Sequence, residues 1–285
     1  MNSQLESLAK AVKRKKKKKK KRCKVITVSS GKGGVGKTGV SVSLAYALAS
    51  FFGKKVLLLD CDIGLGNVHV VLNLKPNKSI KSLLEGEKIE NVIQRVNGFD
   101  VILGFSGIEN FVDFDSFESA DFIYQLERIF EDYDYVVIDN AAGLNKQTVS
   151  FSRIADSTYI VTTPEPTALT DAYAFIKSMY KLYDYNSFKV VVNMCSSKRE
   201  GYKTYERLRD SAKTFLGLNL PLVGILPFSE KVRECLLKKK VMLDAYPSDP
   251  YSLEIKKMVQ LEVGELVKED LKEEGFISRL LGFLR

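Results

Sequence analysis

The sequence predicts an α/β fold, a mostly parallel central sheet with helices on both faces. Three observations predict it. Apolar, strand-like runs recur along the chain, helical patterns fall between them, and one junction joins strand, glycine loop and helix without a break. Strands that are apolar throughout are buried on both faces, and their alternation with helices is the pattern of parallel strands joined by crossovers. The strand-like runs cover 25–29, 56–60, 101–105, 135–139, 158–162, 189–193 and 222–226, and helical patterns cover 40–52, 121–130, 169–182 and 203–216. No linker-like composition separates them. The expected organisation is therefore a short helix and a poly-basic segment over 1–22, one domain over 23–250, and C-terminal helices over 251–285.

The strand–loop–helix junction carries the chemistry. A β-branched run ends in Ser29 and Ser30, then Gly31-Lys32-Gly33-Gly34-Val35-Gly36-Lys37-Thr38 follows, then an apolar helical pattern from Val40. This is Gly-x-x-x-x-Gly-Lys-Thr in the context a phosphate-binding loop needs. Its glycines let the backbone curl so that several N–H groups face phosphate oxygens, and the following helix adds its positive end. Lys37 is expected to reach the β- and γ-phosphates, and the Thr38 hydroxyl to ligate Mg²⁺. The expected site is thus that of a P-loop nucleoside triphosphatase.

Ligands in such sheets sit at the carboxyl ends of strands. One run ends in Asp60-Cys61-Asp62-Ile63-Gly64, and another in Asp139-Asn140-Ala141-Ala142-Gly143. Both bring acid to the loop edge behind a buried apolar run. Buried carboxylates are costly unless paired or near a metal, and Mg²⁺ beside the phosphates supplies that partner.

Bulk properties bound the rest. The 285 residues are 45% apolar and 28% charged, the balance of a globular protein. The formal charge of +9 misdescribes the folded part, because residues 13–22 are all Lys or Arg. Without those ten, the other 275 residues sum to about −1. No apolar stretch reaches the roughly 20 residues that span a bilayer, and no apolar segment after the lysines makes a signal peptide. Cys23, Cys61, Cys195 and Cys235 show no metal-ligand spacing. A cytoplasmic protein is expected.

On these residues the chain resembles the MinD/ParA family of deviant-Walker ATPases, whose loop reads Lys-Gly-Gly-x-Gly-Lys-Thr. The resemblance implies ATP and Mg²⁺ as cofactors, slow regulatory hydrolysis of ATP to ADP and phosphate, and an ATP-bound homodimer. It assigns Lys32 as the signature lysine that reaches the partner subunit's nucleotide, with a solvated loop cation as the alternative. It assigns Gly33, Gly34, Val35, Gly36, Lys37 and Thr38 to the phosphates, and Asp62 to orienting the attacking water and to the metal. Asp139 falls in the Mg²⁺ shell through a water, Gly143 near the γ-phosphate, and Asn193 and Pro227 at the adenine. The chain departs from the family's pattern at Asn140, Ala141 and Ser229. Thr163-Pro164-Glu165-Pro166-Thr167-Ala168-Leu169-Thr170-Asp171-Ala172-Tyr173 is similar to a segment of the FlhG branch, which regulates flagellar number. There the sequence reads as a strand end, a rigid turn, and a helix opened by Thr170 or Asp171.

The two ends carry separate expectations. Phe276, Ile277, Leu280, Leu281, Phe283 and Leu284 fall within about 160° of a helical wheel, opposite Arg279 and Arg285. That describes a helix of 275–285 lying in an anionic membrane surface, on the cytoplasmic face of the cell membrane by the resemblance. Packing on the domain itself is the other reading, and both are expected: docked in the monomer, and released to lipid when ATP drives dimerisation. By the same resemblance Gln4 contacts an FlhF-like GTPase. The lysine run is open to three readings: a second membrane signal, nucleic-acid attraction, which is not the preferred one, or a solvated spacer. Division-site placement of the MinD type and ParA-like DNA segregation are the alternative functions.

Overall fold

The computed structural model describes residues 23–62, 67–75, 78–80, 82, 86–104, 126 and 128–269, without the side chains of 147 and 265–269. Gln4, the lysine run, Gly64, most of the helical pattern over 121–130, and Phe276, Ile277, Leu280, Leu281, Phe283 and Leu284 lie outside the described residues.

Eight described strands form one sheet. They are β1 (Lys24–Ser30), β2 (Val56–Cys61), β3 (Gln94–Val96), β4 (Phe99–Ile102), β5 (Tyr135–Ala142), β6 (Ser157–Thr162), β7 (Phe188–Cys195) and β8 (Leu222–Pro227). Their order is β3-β4-β2-β5-β1-β6-β7-β8. Every pairing is parallel except β3 with β4. All seven expected strands have a counterpart, but the one expected over 101–105 lies earlier, at Phe99–Ile102, where it pairs with β2 and β3. The short antiparallel edge strand β3 was not expected, because Gln94-Arg95-Val96 is polar and half exposed and carries no apolar run.

Among the described residues the helices include α1 (Lys37–Ser50), α2 (Val68–Val71), α3 (Lys146–Ile154), α4 (Pro166–Tyr183), α5 (Lys198–Leu216), α6 (Glu230–Lys238), α7 (Met242–Ala245) and α8 (Pro250–Glu269). Successive strand side chains point to opposite faces. Ile26 and Val28 of β1 enter the core shared with α1 and α8, whereas Val25 enters the core on the opposite face. On that second face α4 and α5 cover β6 and β7 through Phe175, Ile176, Met179, Leu208 and Ala212. Among the described residues no helix is long and apolar enough to cross a membrane.

Helix α4 opens earlier than expected. Its start is Pro166, with Glu165 extended before it, rather than Thr170 or Asp171. Proline lacks the N–H that the first helical position leaves unbonded, and its fixed φ suits that position. Thr170 instead turns its hydroxyl back onto the Pro166 carbonyl, 2.9 Å away.

Helix α8 belongs to the same core. Tyr251, Ile255, Met258 and Val259 pack with α1 residues, and Glu262 forms ion pairs with Lys24 (2.6 Å) and Lys189 (3.1 Å) at the far end of the sheet. Tyr159 donates its hydroxyl to the same carboxylate.

Candidate functional site

The centre of the sheet places the loop. β1 lies between β5 and β6, so the chain leaving its carboxyl end emerges between the ends of two neighbours. The loop turns through Gly34 (φ 80°) and Gly36 (φ 87°), a region that costs any residue with a Cβ. Gly36 is also crowded: a Cβ there would lie 2.4 Å from the Asn193 amide nitrogen. Gly31 has the tightest fit, since a Cβ would lie 2.1 Å from the Asp171 backbone on α4. Gly31 thus permits close passage of backbone past backbone, and Gly36 leaves room for the Asn193 side chain.

A cavity of about 730 Å³ opens over the loop. Of the residues predicted for the site, Gly33, Gly34, Gly36, Lys37, Thr38, Asp62, Asn193 and Pro227 line it. Val35 does not; its side chain is buried in the core. Gly143 stands just outside with φ 77°, and its N–H donates to the Ser30 carbonyl at 2.8 Å. The far wall is apolar, formed by Val70, Val71, Phe228, Val232 and Leu236. Asn193 donates from its amide to the Val35 carbonyl at 2.9 Å, tying the end of β7 to the loop.

Asp139 lies behind Thr38, fully buried. Thr38 donates to one carboxylate oxygen at 2.7 Å and Ser41 donates to the other at 2.8 Å. Ser41 was missed by the sequence reading, although it follows Lys37 by four residues and so shares its helix face. Asp60 was also given no role of its own. It is the register partner of Asp139 across β2 and β5, and it accepts the Asp62 backbone N–H at 3.1 Å.

Electrostatics describe a site with surplus acid. Burial, then the neighbouring Asp139, pushes the Asp60 carboxyl up to about 7. Burial raises Asp139 as well, against the opposing pull of Lys37 and its two hydroxyl donors, and burial raises Asp62 against Lys37. Three carboxyls crowded beside one buried lysine and a phosphate-type loop fit a divalent cation. Among the described residues no three His, Cys, Asp or Glu side chains form an all-protein metal cage. Mg²⁺ usually takes one or two carboxylates and completes its shell from phosphates and water.

Lys32 does not join the residues lining its own cavity. Its ammonium donates to Glu165 at 3.1 Å, just before α4, and to Thr167 at 2.9 Å, in the first turn of α4. The side chain remains 39% exposed.

The departures from the expected pattern have structural partners. Asn140 is fully buried and donates to the hydroxyls of Ser29 (2.9 Å) and Ser152 (3.4 Å), joining β5 to β1 and α3. Ser229 caps α6 by accepting the Lys231 N–H and donates to Asp249 at 3.0 Å.

A glycine loop at the head of a buried central strand, a Lys-Thr pair entering a helix, and two flanking acidic strand ends define a P-loop nucleotide-binding protein. A family model described as an AAA domain matches residues 23–191, and the chain belongs to the MinD/ParA family of P-loop ATPases. It is 37% identical to the antiactivator FleN of Pseudomonas aeruginosa over 235 residues, covering 82% of this chain and 84% of FleN. It is 37% identical to the flagellum site-determining protein YlxH of Helicobacter pylori over 267 residues, covering 90% and 89%. The MinC:MinD cell division protein complex of Aquifex aeolicus contains a chain that superposes with TM-score 0.67 at 28% identity, covering 85% of this chain and 96% of that one.

Proposed function

We propose that this chain is an ATP-driven switch that regulates flagellar number or placement. YlxH, a flagellum site-determining protein by name, supports the biological setting at 37% identity over 90% of the chain, and the equally similar FleN, an antiactivator by name, supports a regulatory role. The observation that carries the switch is Lys32, a loop cation turned away from its own cavity and left partly in solvent. A cation so placed is suited to another subunit's triphosphate, as a finger supplied in trans.

In this reading the backbone from Gly33 to Gly36 cradles phosphate oxygens, Lys37 neutralises their charge, and Thr38 with Asp139 holds Mg²⁺. Bound Mg²⁺ supplies charge neutralisation on the phosphates. Thr38 must then turn its hydroxyl oxygen from donating to Asp139 toward accepting a cation. Asp62 orients the attacking water at the cavity wall. Gly143 must release the Ser30 carbonyl to offer its N–H to the triphosphate, so the second acidic loop reports what is bound. Asn193 and Pro227 face the adenine, with Phe228 as an apolar neighbour. Two chains close with each Lys32 leaving its own Glu165 and Thr167 for the partner's phosphates.

The dimer then presents the 275–285 helix to anionic membrane, and an FlhF-like GTPase is the protein partner, with Gln4 among its contacts. Hydrolysis returns monomers. Vesicle sedimentation tests this: full-length chain is expected to pellet with anionic vesicles with ATP, much less with ADP, and not without residues 275–285. Equal pelleting in all three overturns the membrane arm.

A further inference from the structure

A second recess lies outside the nucleotide cavity. It has a volume of about 470 Å³ and is lined by Pro164, Ser197, Arg199, Glu200, Lys203, Thr204 and Arg207. Arg199, Lys203 and Arg207 follow one another at four-residue intervals on α5, so they rise about 6 Å apart along one face. All three are exposed, and none forms a hydrogen bond or ion pair with another described residue. The one carboxylate in the wall, Glu200, is already engaged. It accepts the N–H and the hydroxyl of Ser196, both at 2.7 Å, and these bonds hold it below its ordinary range. The floor hydroxyls are engaged too: Thr204 donates to the Glu200 carbonyl and Ser197 caps the helix.

We infer that this recess receives the Asp or Glu side chains of an acidic segment on a protein partner. Two guanidinium forks with an ammonium between them match carboxylates in charge and geometry. The three cations span only about 12 Å along the helix, a patch matched to a few acidic side chains rather than to a long run of phosphates. Glu206, three residues beyond Lys203 and also exposed, would repel a polyanion that continued along the helix, whereas Asp210 is already paired with Arg209 at 2.9 Å. The position has a consequence that rests on the switch reading above: Pro164 forms one wall, and the next residue, Glu165, holds Lys32. A segment seated here would press on the turn that holds the switch cation.

Docking itself is tested without nucleotide, so its failure is separable from failure of the switch. Full-length chain is incubated with hexaglutamate peptide at about 0.15 M salt, where long-range attraction is screened, and joined by carbodiimide. Mass spectrometry then locates the new amide bonds, separating Lys203 from the N-terminal lysines. Lys203 is expected to react at least about tenfold more than Lys213 of the same helix. That excess is expected to vanish in Arg199→Ala/Arg207→Ala, which keeps Lys203 but removes both charge-assisted contacts. Equal reaction at Lys203 and Lys213, or an excess that survives the double substitution, overturns the inference. So does a DNA duplex that blocks Lys203 at a lower charge concentration than free peptide, which would assign the recess to nucleic acid.

Discussion

Replacing Asp60 with Asn should remove a pH dependence of stability that the acidic pair builds into the nucleotide-free protein. Asp60 is 1% exposed, and burial with Asp139 beside it lifts its carboxyl from 3.8 to about 7. The folded state therefore keeps a proton that the unfolded chain releases near pH 4. Its contribution is complete below about 4 and is lost as pH rises toward 7. From pH 5 to pH 7 that is about 1.7 units at about 1.36 kcal/mol each, because the folded carboxyl is itself half ionised at pH 7, so roughly 2.3 kcal/mol, with about 0.4 kcal/mol more above 7. Part of this belongs to the Asp60–Asp139 pair rather than to one carboxyl, which puts the difference seen on removing Asp60 alone nearer 2 kcal/mol. Asn keeps an oxygen for the Asp62 N–H and has no proton to lose. Urea unfolding at pH 5, 6, 7 and 8 without nucleotide should show wild type losing about 2 kcal/mol relative to Asp60→Asn. Parallel profiles for the two proteins would refute the assignment of a raised carboxyl to Asp60.

Three further outcomes follow from the packing. Gly31→Ala should cost about 3 kcal/mol or more, measured by chemical unfolding, because backbone of α4 stands where the methyl would go; a cost under about 1 kcal/mol would mean the turn yields easily. Glu262→Ala should cost about 3–5 kcal/mol by the same assay, since it removes the acid facing the Lys24 and Lys189 ammoniums, while leaving nucleotide affinity unchanged. Thr38→Val should weaken the Mg²⁺ dependence of ATP binding at least tenfold in titrations with and without EDTA, whereas Ser41→Ala should alter it less than Thr38→Val, because Ser41 bonds Asp139 and the Lys37 carbonyl and, unlike Thr38, does not line the cavity.

Much of the fold was legible because its signals are local. The apolar runs that became β1, β2, β5, β6, β7 and β8 needed no tertiary information, and the glycine loop announced its own geometry. What escaped lacks such a signal. β3 is three residues long and polar, and it exists because β4 offers it an antiparallel edge. α3 carries Thr, Val, Ser and Phe, weak helix formers, and is held by the Asn145 cap and by burial against the sheet. α6 is rich in charge and gains its place from Ser229 and a packed Cys235.

At the site, residue types were readable but pairings were not. Lys32 and Glu165 are 133 positions apart, and Asp139 and Ser41 are 98 apart. Only the fold could bring them together. Asp60 was visible as a strand-ending acid, yet its perturbed proton depends on the register that sets it against Asp139.

The central claim is that Lys32 acts on a second subunit. Light scattering with size exclusion, on full-length chain with Mg²⁺ and a non-hydrolysable ATP analogue, tests it most directly. Wild type should double in mass relative to its ADP form, and Lys32→Ala should remain monomeric while still binding the analogue. A wild type that stays monomeric, or a Lys32→Ala protein that dimerises and hydrolyses ATP as wild type does, would contradict it.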